Sequence, residues 1–354
     1  MKKIRAFMKL ISLLLLSLAQ TAAPLKALIL CGEASFFESW SAEQVFAEDY
    51  AVTIEKDPGR DFVILNLTDI QVDNADAFSE SGEKTRALLQ ELVAKTHPDL
   101  ITVTGDNGRG WGGLVQTMQD VDSLGIPWAP VLGNHDSEKS IDAFFSAYHL
   151  SKAKHCLFRF GPEGMGYGNY VIHITENGEI LHSLYMMDTH SEVEQSDSIN
   201  GPEGGYDHLW QNQIEWYKWA VNGTNALAGH TVESTVLLHI PLSEYRQFEG
   251  HTQEETCFGE NREGVCAPAG NNGFFDVCRE LGSTKNILCG HDHRNSFSFV
   301  LDGIRLSYSL KTGYGSYFDA DMVGGTTLTV DSGGKAAVQH IFCDDALLRQ
   351  AEAK

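Results

Sequence analysis

Asn286-Ile287-Leu288-Cys289-Gly290-His291-Asp292-His293 is the stretch that decides the fold predicted for this chain. Its first residues form a short apolar run that is typical of a buried strand. The glycine then lets the backbone turn, so that the two histidines can direct their imidazoles into one pocket. Two solvent-exposed loop histidines would show the same short pattern, and the choice between these interpretations depends on the rest of the chain.

Four further clusters of polar residues lie upstream, and each follows its own apolar run. The runs span 62–67, 100–103, 127–132 and 236–238. The residues that follow them are Asp69 and Gln71, then Asp106, then Asn134, His135 and Asp136, and finally His239. Ligands of open α/β sheets bind beyond the carboxyl ends of the strands. We therefore expect all five clusters to contribute to one site.

Segments whose apolar residues recur at helical spacing lie between the first three of these predicted strands and after the third. Leu88, Leu89 and Leu92 recur at that spacing between residues 83 and 95, and further helices are predicted at 114–124 and 141–148. An alternation of strands and helices predicts a mainly parallel sheet with helices on its faces. Residues 24–60 show no clear period, and we expect them to hold an edge strand or a tether.

The second half of the chain is predicted to contain more antiparallel pairing. Strands are expected at 156–160, 168–175, 180–187, 296–301, 304–309, 326–330 and 336–342, and helices at 209–221 and 274–281. The sequence contains neither an internal repeat nor a low-complexity linker. We therefore predict one α/β domain over residues 23–345, built from two stacked sheets flanked by helices, with a C-terminal tail at 346–354.

Composition restricts the partners of this domain. The chain has 354 residues, of which 42% are apolar, as is usual for a globular protein. Lys and Arg number 26 and Asp and Glu number 48, so the formal net charge is −22. Such a surface repels polyanions, and we do not expect nucleic acid as a partner. A small phosphorylated substrate remains compatible, because bound metal ions can invert the charge locally.

The first residues have the pattern of a signal peptide. Four basic residues fall among the first nine, an apolar run covers 10–18, and the small residues Ala19, Ala22 and Ala23 follow. This pattern predicts a signal peptide at 1–22 and a secreted or periplasmic protein, with an N-terminal anchor or a buried helix as the alternatives. The remaining sequence has no apolar stretch long enough to predict a membrane span in the mature chain.

Seven cysteines are present, and none has the spacing of a thiolate metal site. Export would permit disulfides, and Cys257 and Cys266, which share one polar loop, are the pair that we expect.

The strand-end clusters have the chemistry of a metal site. They combine carboxylate and amide oxygens with imidazoles, a donor set that suits Mn, Fe or Zn. They also contain too many donors for one ion, whereas two divalent ions that share one carboxylate would account for them. The candidate donors are Asp69, Gln71, Asp106, Asn134, His239, His291 and His293.

In chain order the motifs are D-x-Q, G-D-N, G-N-H-D, H and G-H-D-H. This series resembles the five-motif pattern of the calcineurin-like metallophosphoesterase superfamily over roughly residues 60–310. The segments that follow, including 303–308 and 311–317, are similar to the single-domain purple-acid-phosphatase-related branch. The resemblance implies a metallophosphoesterase fold, which is a four-layer α-β-β-α sandwich with two mixed sheets.

The resemblance also implies a role for each motif residue. Asp69, Gln71 and His293 would hold metal 1, Asp106 would bridge both ions, and Asn134, His239 and His291 would hold metal 2. His135 would act outside the metal shell as a general acid or as a phosphate-orienting group. Asp136 would orient His135. Arg109 is a further candidate for phosphate contact, although a residue of this kind is more often a solvated surface charge.

The resemblance implies hydrolysis of phosphate mono- or diesters by a metal-activated hydroxide. One motif departs from the family, because D-x-Q stands where D-x-H is usual. A glutamine carbonyl is a neutral and weaker donor than imidazole, which leaves the identity of metal 1 open. D-x-Q is also similar to the manganese-dependent pyrophosphatases that act on ADP-ribose or CDP-alcohols, and this activity is the alternative. A catalytically silent binding protein with the same fold is the third possibility.

Overall fold

The computed structural model describes residues 32–73, 75, 79–139, 141–193 and 197–344. The predicted signal peptide at 1–22 and the predicted tail at 346–354 lie outside the described residues, as does Cys31.

Strands and helices alternate through most of the described chain. In order they are β1 Ala51–Glu55, β2 Phe62–Leu67, β3 Val72–Asp73, α1 Glu80–Thr96, β4 Leu100–Thr104, β5 Gly108–Arg109, α2 Gly110–Asp122, β6 Trp128–Val131, α3 Ala143–Leu150, β7 Tyr170–Glu176, β8 Glu179–Met186, β9 Glu192–Val193, β10 Gly205–Tyr206, α4 Gln211–Ala228, β11 Glu233–Leu237, α5 Phe274–Leu281, β12 Thr284–Cys289, β13 Ser298–Leu301, β14 Ile304–Tyr308, β15 Gly324–Val330 and β16 Ala336–Phe342. Short 3-10 helices include Asn134–Ser137 after β6 and Ser243–Gly250 after β11.

Two large sheets organise these strands. One has seven strands in the order β1-β7-β8-β11-β12-β14-β13, and the other has five in the order β16-β15-β2-β4-β6. In the first sheet β8, β11, β12 and β14 run parallel to one another, while β7 and β13 pair antiparallel with their neighbours β8 and β14. In the second, β2, β4 and β6 are parallel, and β15 joins antiparallel to β2. The prediction of two mixed sheets is therefore confirmed.

Alternation along β8 shows how the sheets are stacked. Leu184 belongs to the buried core that also contains Ile64 of the five-stranded sheet. Its neighbour Tyr185 belongs to a second core, which contains Tyr217 of helix α4. Successive side chains of a strand point to opposite faces. The first core therefore includes the space between the two sheets, and the second lies between the seven-stranded sheet and its helices.

Helices cover the outer faces of both sheets. Helix α1 packs on β2 and β15, whereas α4 packs on β8 and α5 on β12. The layers follow the order helix, sheet, sheet, helix, as the family resemblance implies. No helix in the described part of the chain is long and apolar enough to cross a membrane.

Two local predictions were wrong. The strand predicted at 156–160 is not formed, because only Cys156 makes a bridge, to Trp128. Phe158 and Phe160 are buried in the core instead. The expected Cys257–Cys266 disulfide is also not formed, and all six cysteines of the described residues are free. Cys257 packs against the second core, whereas Cys266 is exposed and its N–H donates to Asp292.

The edge strand expected within residues 24–60 is β1. It pairs in parallel with β7 at one end of the seven-stranded sheet.

Candidate metal centre

All seven predicted donors lie just beyond the carboxyl ends of strands from the two large sheets. Asp69 and Gln71 follow β2, Asp106 follows β4 and Asn134 follows β6, while His239 follows β11 and both His291 and His293 follow β12. Every one of these side chains is at least nine-tenths buried. Parallel strands end at the same edge of a sheet, and the stacking of the two sheets brings both edges together.

The backbone at this edge adopts conformations that ordinary residues avoid. The φ angles of Asp69, Gln71, Asp106 and His291 are 52°, 45°, 52° and 82°. Non-glycine residues with positive φ carry strain, and such strain concentrates at functional sites, where the surrounding structure holds it. The turns that carry these four residues therefore direct their side chains inward at an energetic cost.

Close packing around Gly290 and Gly133 explains why the last and third motifs contain glycine. A Cβ atom at Gly290 would lie 1.9 Å from Thr68 Oγ1 and 2.6 Å from Asp69 Oδ2. One at Gly133 would lie 2.3 Å from both the amide nitrogen and Oδ1 of Asp106. Any larger residue at either position would displace a donor.

One group of donor atoms surrounds His239 Nε2. This atom lies 3.0 Å from Asn134 Oδ1, 3.3 Å from His291 Nδ1 and 3.4 Å from Asp106 Oδ1. The other ring nitrogen, Nδ1, lies 2.8 Å from the main-chain oxygen of Thr104. A carbonyl only accepts, so Nδ1 carries a proton, and Nε2 is the ring nitrogen available to a metal ion. Asn134, His239 and His291, together called the metal-2 group, are the residues expected around metal 2.

A second group of donor atoms surrounds Asp69. Its Oδ1 lies 3.3 Å from His293 Nε2, and His293 Nδ1 donates to the main-chain oxygen of Tyr317 at 2.7 Å. Gln71 joins this group to the first, because its Nε2 donates to Asp106 Oδ2. Asp69, Gln71 and His293, together called the metal-1 group, are the residues expected around metal 1. Asp106 lies between the two groups.

The donor atoms fit a pair of divalent cations. Gln71 Oε1 and Asp69 Oδ1 are buried and accept no hydrogen bond from any described residue. Leaving buried polar oxygens without partners is costly, and a cation would satisfy both. Asp69, Asp106 and His239 also present ligand atoms within 4.8 Å of one another. Hard oxygen and imidazole donors suit first-row divalent metals.

A buried lysine lies behind the metal-1 group and was not identified from the sequence. Lys311 is 2% exposed, and its Nζ donates to the main-chain oxygen of Asp69 at 2.6 Å. Burial lowers the pKa of Lys311 to about 8, although the charges of Asp69 and Asp106 oppose the shift. Burial would raise the pKa of Asp69, but the adjacent His293 imidazole holds it below its usual value. The only sequence signal for Lys311 is its position two residues after the alternating strand predicted at 304–309.

Asp136 does not take the orienting role that was expected of it. It is fully buried, and its carboxylate accepts from the N–H groups of Gly133 and Gly108 and from Asn107 Nδ2 at 2.8 to 3.1 Å. Burial and the nearby charge of Asp106 raise its pKa to about 6. The turn after β6 directs the Asp136 side chain away from His135. Asp136 therefore connects the loop after β6 to the loop after β4.

His135 lies at the edge of the donor groups, and a different carboxylate holds it. Its Nδ1 lies 2.7 Å from Glu138 Oε1, and its Nε2 lies 3.9 Å from Asp106 Oδ2. Its side chain is 29% exposed, more than any of the seven donors. Glu138 was not identified from the sequence, although its position three residues after His135 in a short helical turn is a usable signal.

Two tyrosines border the histidines of the last motif. The Tyr317 ring stacks on His293 with centroids 4.2 Å apart, and the edge of the Tyr206 ring meets His291 at 4.3 Å. Tyr317 is 44% exposed, so it forms part of the surface around the donors. Tyr206 comes from β10, so this short strand lies beside the metal-2 group.

A dimetal phosphatase from Danio rerio aligns with a TM-score of 0.46 and 12% identity, over 80% of this chain and all of that chain.

Sequence comparisons identify relatives among phosphatases. Probable inactive purple acid phosphatase 14 of Arabidopsis thaliana is 30% identical over 263 residues, which cover 67% of this chain and 64% of the plant protein. Phosphatase DCR2 of Saccharomyces cerevisiae is 29% identical over 272 residues, which cover 69% of this chain and 46% of the yeast protein. This chain thus spans between about half and two thirds of the length of these relatives. The family model for calcineurin-like phosphoesterases matches residues 62–295. That match contains all five motifs and all seven donors, and the chain belongs to the calcineurin-like phosphoesterase family.

Proposed function

We propose that this chain is a metal-dependent phosphoesterase that hydrolyses phosphate mono- or diesters at a two-ion centre. The observation that carries the proposal is the position of Asp106 between the two groups of donors. Its Oδ1 lies 3.4 Å from His239 Nε2 in one group, and its Oδ2 accepts from Gln71 in the other. A carboxylate shared in this way is typical of sites that hold two ions about 3.5–4 Å apart.

In this proposal the protein residues hold the ions and manage one proton. Asp69, Gln71 and His293 would hold one ion, and Asn134, His239 and His291 the other, with Asp106 common to both. When bound, two divalent ions of Mn, Fe or Zn supply charge neutralisation at the phosphoryl oxygens and an activated water as the nucleophile. Each of His239 and His293 donates from Nδ1 to a main-chain oxygen, and these hydrogen bonds keep Nε2 of both rings oriented toward the ions.

His135 is the proposed proton donor to the leaving group. It is a partly exposed histidine beside the donors, and its Nε2 lies 3.9 Å from Asp106 Oδ2. A histidine in this position can protonate the leaving oxygen of the ester, a contribution that is typically worth about 100-fold to 10,000-fold in rate. The proposal needs no covalent intermediate, and therefore no nucleophilic serine or cysteine.

Two other functions compete with this one. Gln71 favours a manganese-dependent pyrophosphatase that acts on ADP-ribose or CDP-alcohol type substrates. The plant relative named as a probable inactive phosphatase favours a silent protein of the same fold. Against silence, the chain keeps His135 as well as all seven donors, and a protein selected only for binding would not need the acid.

A panel of reloaded proteins distinguishes these functions. Metal-stripped protein would be reloaded with Mn²⁺, Zn²⁺ or Fe²⁺ and assayed on a monoester, a diester and ADP-ribose. We expect two ions per chain and hydrolysis of a mono- or diester, with His135→Ala keeping both ions and losing most turnover on poor leaving groups. His230→Ala is the matched control, because His230 is exposed and bonds only to the nearby Ala228 carbonyl.

Each other outcome has a defined meaning. A preference for ADP-ribose would replace the proposal with the pyrophosphatase alternative. A folded protein that binds two ions but hydrolyses none of the substrates would support the silent alternative. Loss of metal in His135→Ala would make His135 a ligand and remove its role as the acid.

We also propose that the protein acts outside the cytoplasm. Support comes from the basic head and apolar run of residues 1–22. Expression of the full chain followed by cell fractionation and mass measurement of the mature N-terminus tests this proposal. A chain that keeps Met1 and stays in the cytoplasmic fraction would contradict it.

A further inference from the structure

Glu138 is the carboxylate that holds His135, and its place in the fold is well defined. His135 lies within the 3-10 helix Asn134–Ser137, and Glu138 follows directly as its C-terminal cap. Residues three apart in a 3-10 helix lie above one another on the same side. Glu138 Oε1 therefore meets His135 Nδ1 at 2.7 Å.

Arg109 holds the other oxygen of the same carboxylate. Its Nε and Nη2 lie 3.2 and 2.9 Å from Glu138 Oε2. Arg109 belongs to β5, which pairs with β3 and leads directly into helix α2. Each oxygen of Glu138 thus has its own partner, and the Arg109 contact anchors the carboxylate to an ordered element instead of leaving it to move with its loop.

The consequence for His135 follows from hydrogen-bond chemistry. An ionised carboxylate only accepts hydrogen bonds, so the proton of the His135–Glu138 contact is on Nδ1. Nε2, which faces Asp106 and the donor groups, is then the nitrogen that takes up a proton from water and delivers it to the leaving oxygen, while Nδ1 keeps its own proton on Glu138. Without Glu138 the ring could rotate about its side-chain bonds and adopt either tautomer, because His135 is partly exposed and Asp136 is engaged elsewhere.

We propose that Glu138 is the positioning residue for His135 and that Arg109 fixes Glu138 in place. This inference rests on the proposed function insofar as His135 is the proton donor. Glu138 contacts none of the seven metal donors, and it acts only through the ring of His135. Arg109 is accordingly engaged by Glu138 rather than directed at a substrate phosphate.

The neighbouring ion pair offers a matched control. Lys139 Nζ contacts Asp73 Oδ2, so it also ties the loop after β6 to the β3–β5 ribbon. Lys139→Ala removes that tie without touching His135. A purely structural role of the loop contacts would therefore make Glu138→Ala and Lys139→Ala behave alike.

The first readout is leaving-group dependence. Wild type, Glu138→Ala, Glu138→Gln and Lys139→Ala would be assayed on p-nitrophenyl phosphate, whose leaving group needs little protonation, and on glycerol phosphate, whose leaving group needs much. We expect Glu138→Ala to lose about tenfold more kcat on glycerol phosphate than on p-nitrophenyl phosphate, within the range typical of general acids. Glu138→Gln keeps an acceptor oxygen and should recover most of this difference, and Lys139→Ala should match wild type. Equal losses on both substrates, or none, would overturn the proposal.

The second readout does not depend on activity. Long-range ¹H–¹⁵N NMR of the Zn-loaded protein reports which imidazole nitrogen of His135 carries the proton. We expect Nδ1–H in wild type, Glu138→Gln and Lys139→Ala, and a shift toward Nε2–H in Glu138→Ala. An unchanged tautomer in Glu138→Ala would overturn the positioning role. If instead every variant shows the expected tautomer while wild type hydrolyses no ester, the proposed function fails and the role of Glu138 stands.

Discussion

Asp69 Oδ1 lies 3.3 Å from His293 Nε2, although the two residues belong to the first and last of the five motifs. Asp69 follows β2 of the five-stranded sheet, and His293 follows β12 of the seven-stranded sheet. The contact therefore joins the two sheets at the edge where their strands end. The metal site therefore depends on how the sheets pack against each other. Its two groups of donors share only Asp106, so we expect that each ion can be removed separately.

We expect His293→Ala to retain about one ion per chain where wild type binds two. The substitution removes a nitrogen from the Asp69 group, while the atoms around His239 Nε2 stay in place. Metal content after equilibrium dialysis, measured by elemental mass spectrometry, checks this. His291→Ala is the complementary variant and should lose the other ion. Loss of both ions in each variant would show that the two groups do not bind independently.

Gln71 should contribute to metal affinity through its amide oxygen. Gln71→Ala removes an oxygen that has no hydrogen bond from the described residues, so we expect one ion to bind about tenfold more weakly, or ~1.4 kcal/mol. Gln71→Glu keeps an oxygen and adds a charge, which should tighten the same site. Titration of metal-stripped protein with Mn²⁺ measures both effects. Unchanged affinity in Gln71→Ala would exclude Gln71 as a ligand.

The close approach at Gly290 should make this position intolerant of a side chain. A Cβ there would lie 1.9 Å from Thr68 Oγ1, so Gly290→Ala must displace the strand end that carries Asp69. Overpacking of this kind typically costs about 1–3 kcal/mol, and metal binding should weaken as well. Urea unfolding gives the free energy, with Gly264→Ala as the control, because a Cβ at Gly264 meets no atom within 4 Å. Equal stability of the two variants would contradict this account.

A buried histidine far from the metal centre should make stability depend on pH. His182 in β8 is fully buried between Gly334 O and Thr235 Oγ1, and burial lowers its pKa from 6.5 to about 4. The neutral ring therefore stabilises the fold fully above pH 6.5, and this stabilisation, roughly 3 kcal/mol, is lost as the pH falls from 6.5 toward 4.

His182→Gln removes this titration while keeping groups that can bond to both neighbours. We expect its unfolding free energy to fall less than that of wild type between pH 7 and pH 4.5, as measured by urea unfolding of metal-stripped protein. His230→Gln, at an exposed site, should retain the wild-type dependence. An identical pH dependence in all three proteins would mean that His182 is not the responsible group.

Most of the site could be predicted from the sequence, because its information is local. Each donor follows an apolar run, and a run of that length and composition predicts a strand whatever the tertiary contacts are. The donor types, hard oxygens and imidazoles without cysteine, then indicate the metals. The sandwich of two mixed sheets was implied by the family resemblance that these five motifs carry in order.

Local patterns also misled in identifiable places. Residues 157–160 have the composition of a strand, but the side chains of Phe158 and Phe160 pack into the core without strand pairing. Cys257 and Cys266 share a loop, but one side chain packs inward while the other faces solvent. In each case the residue types were compatible with two arrangements, and packing elsewhere selected one.

The sequence by itself determined which residues reach the ends of the strands, since hydrophobic periodicity and turn-forming glycines are properties of short segments. Only the tertiary structure decided which oxygen faces which nitrogen. Asp136 is adjacent to His135 in sequence yet bonds to the loop after β4, whereas Glu138 reaches the ring. Lys311 meets the Asp69 carbonyl only because the two sheets stack. Such pairings depend on how the loops and the two sheets pack against one another, and the spacing of the motifs does not encode this packing.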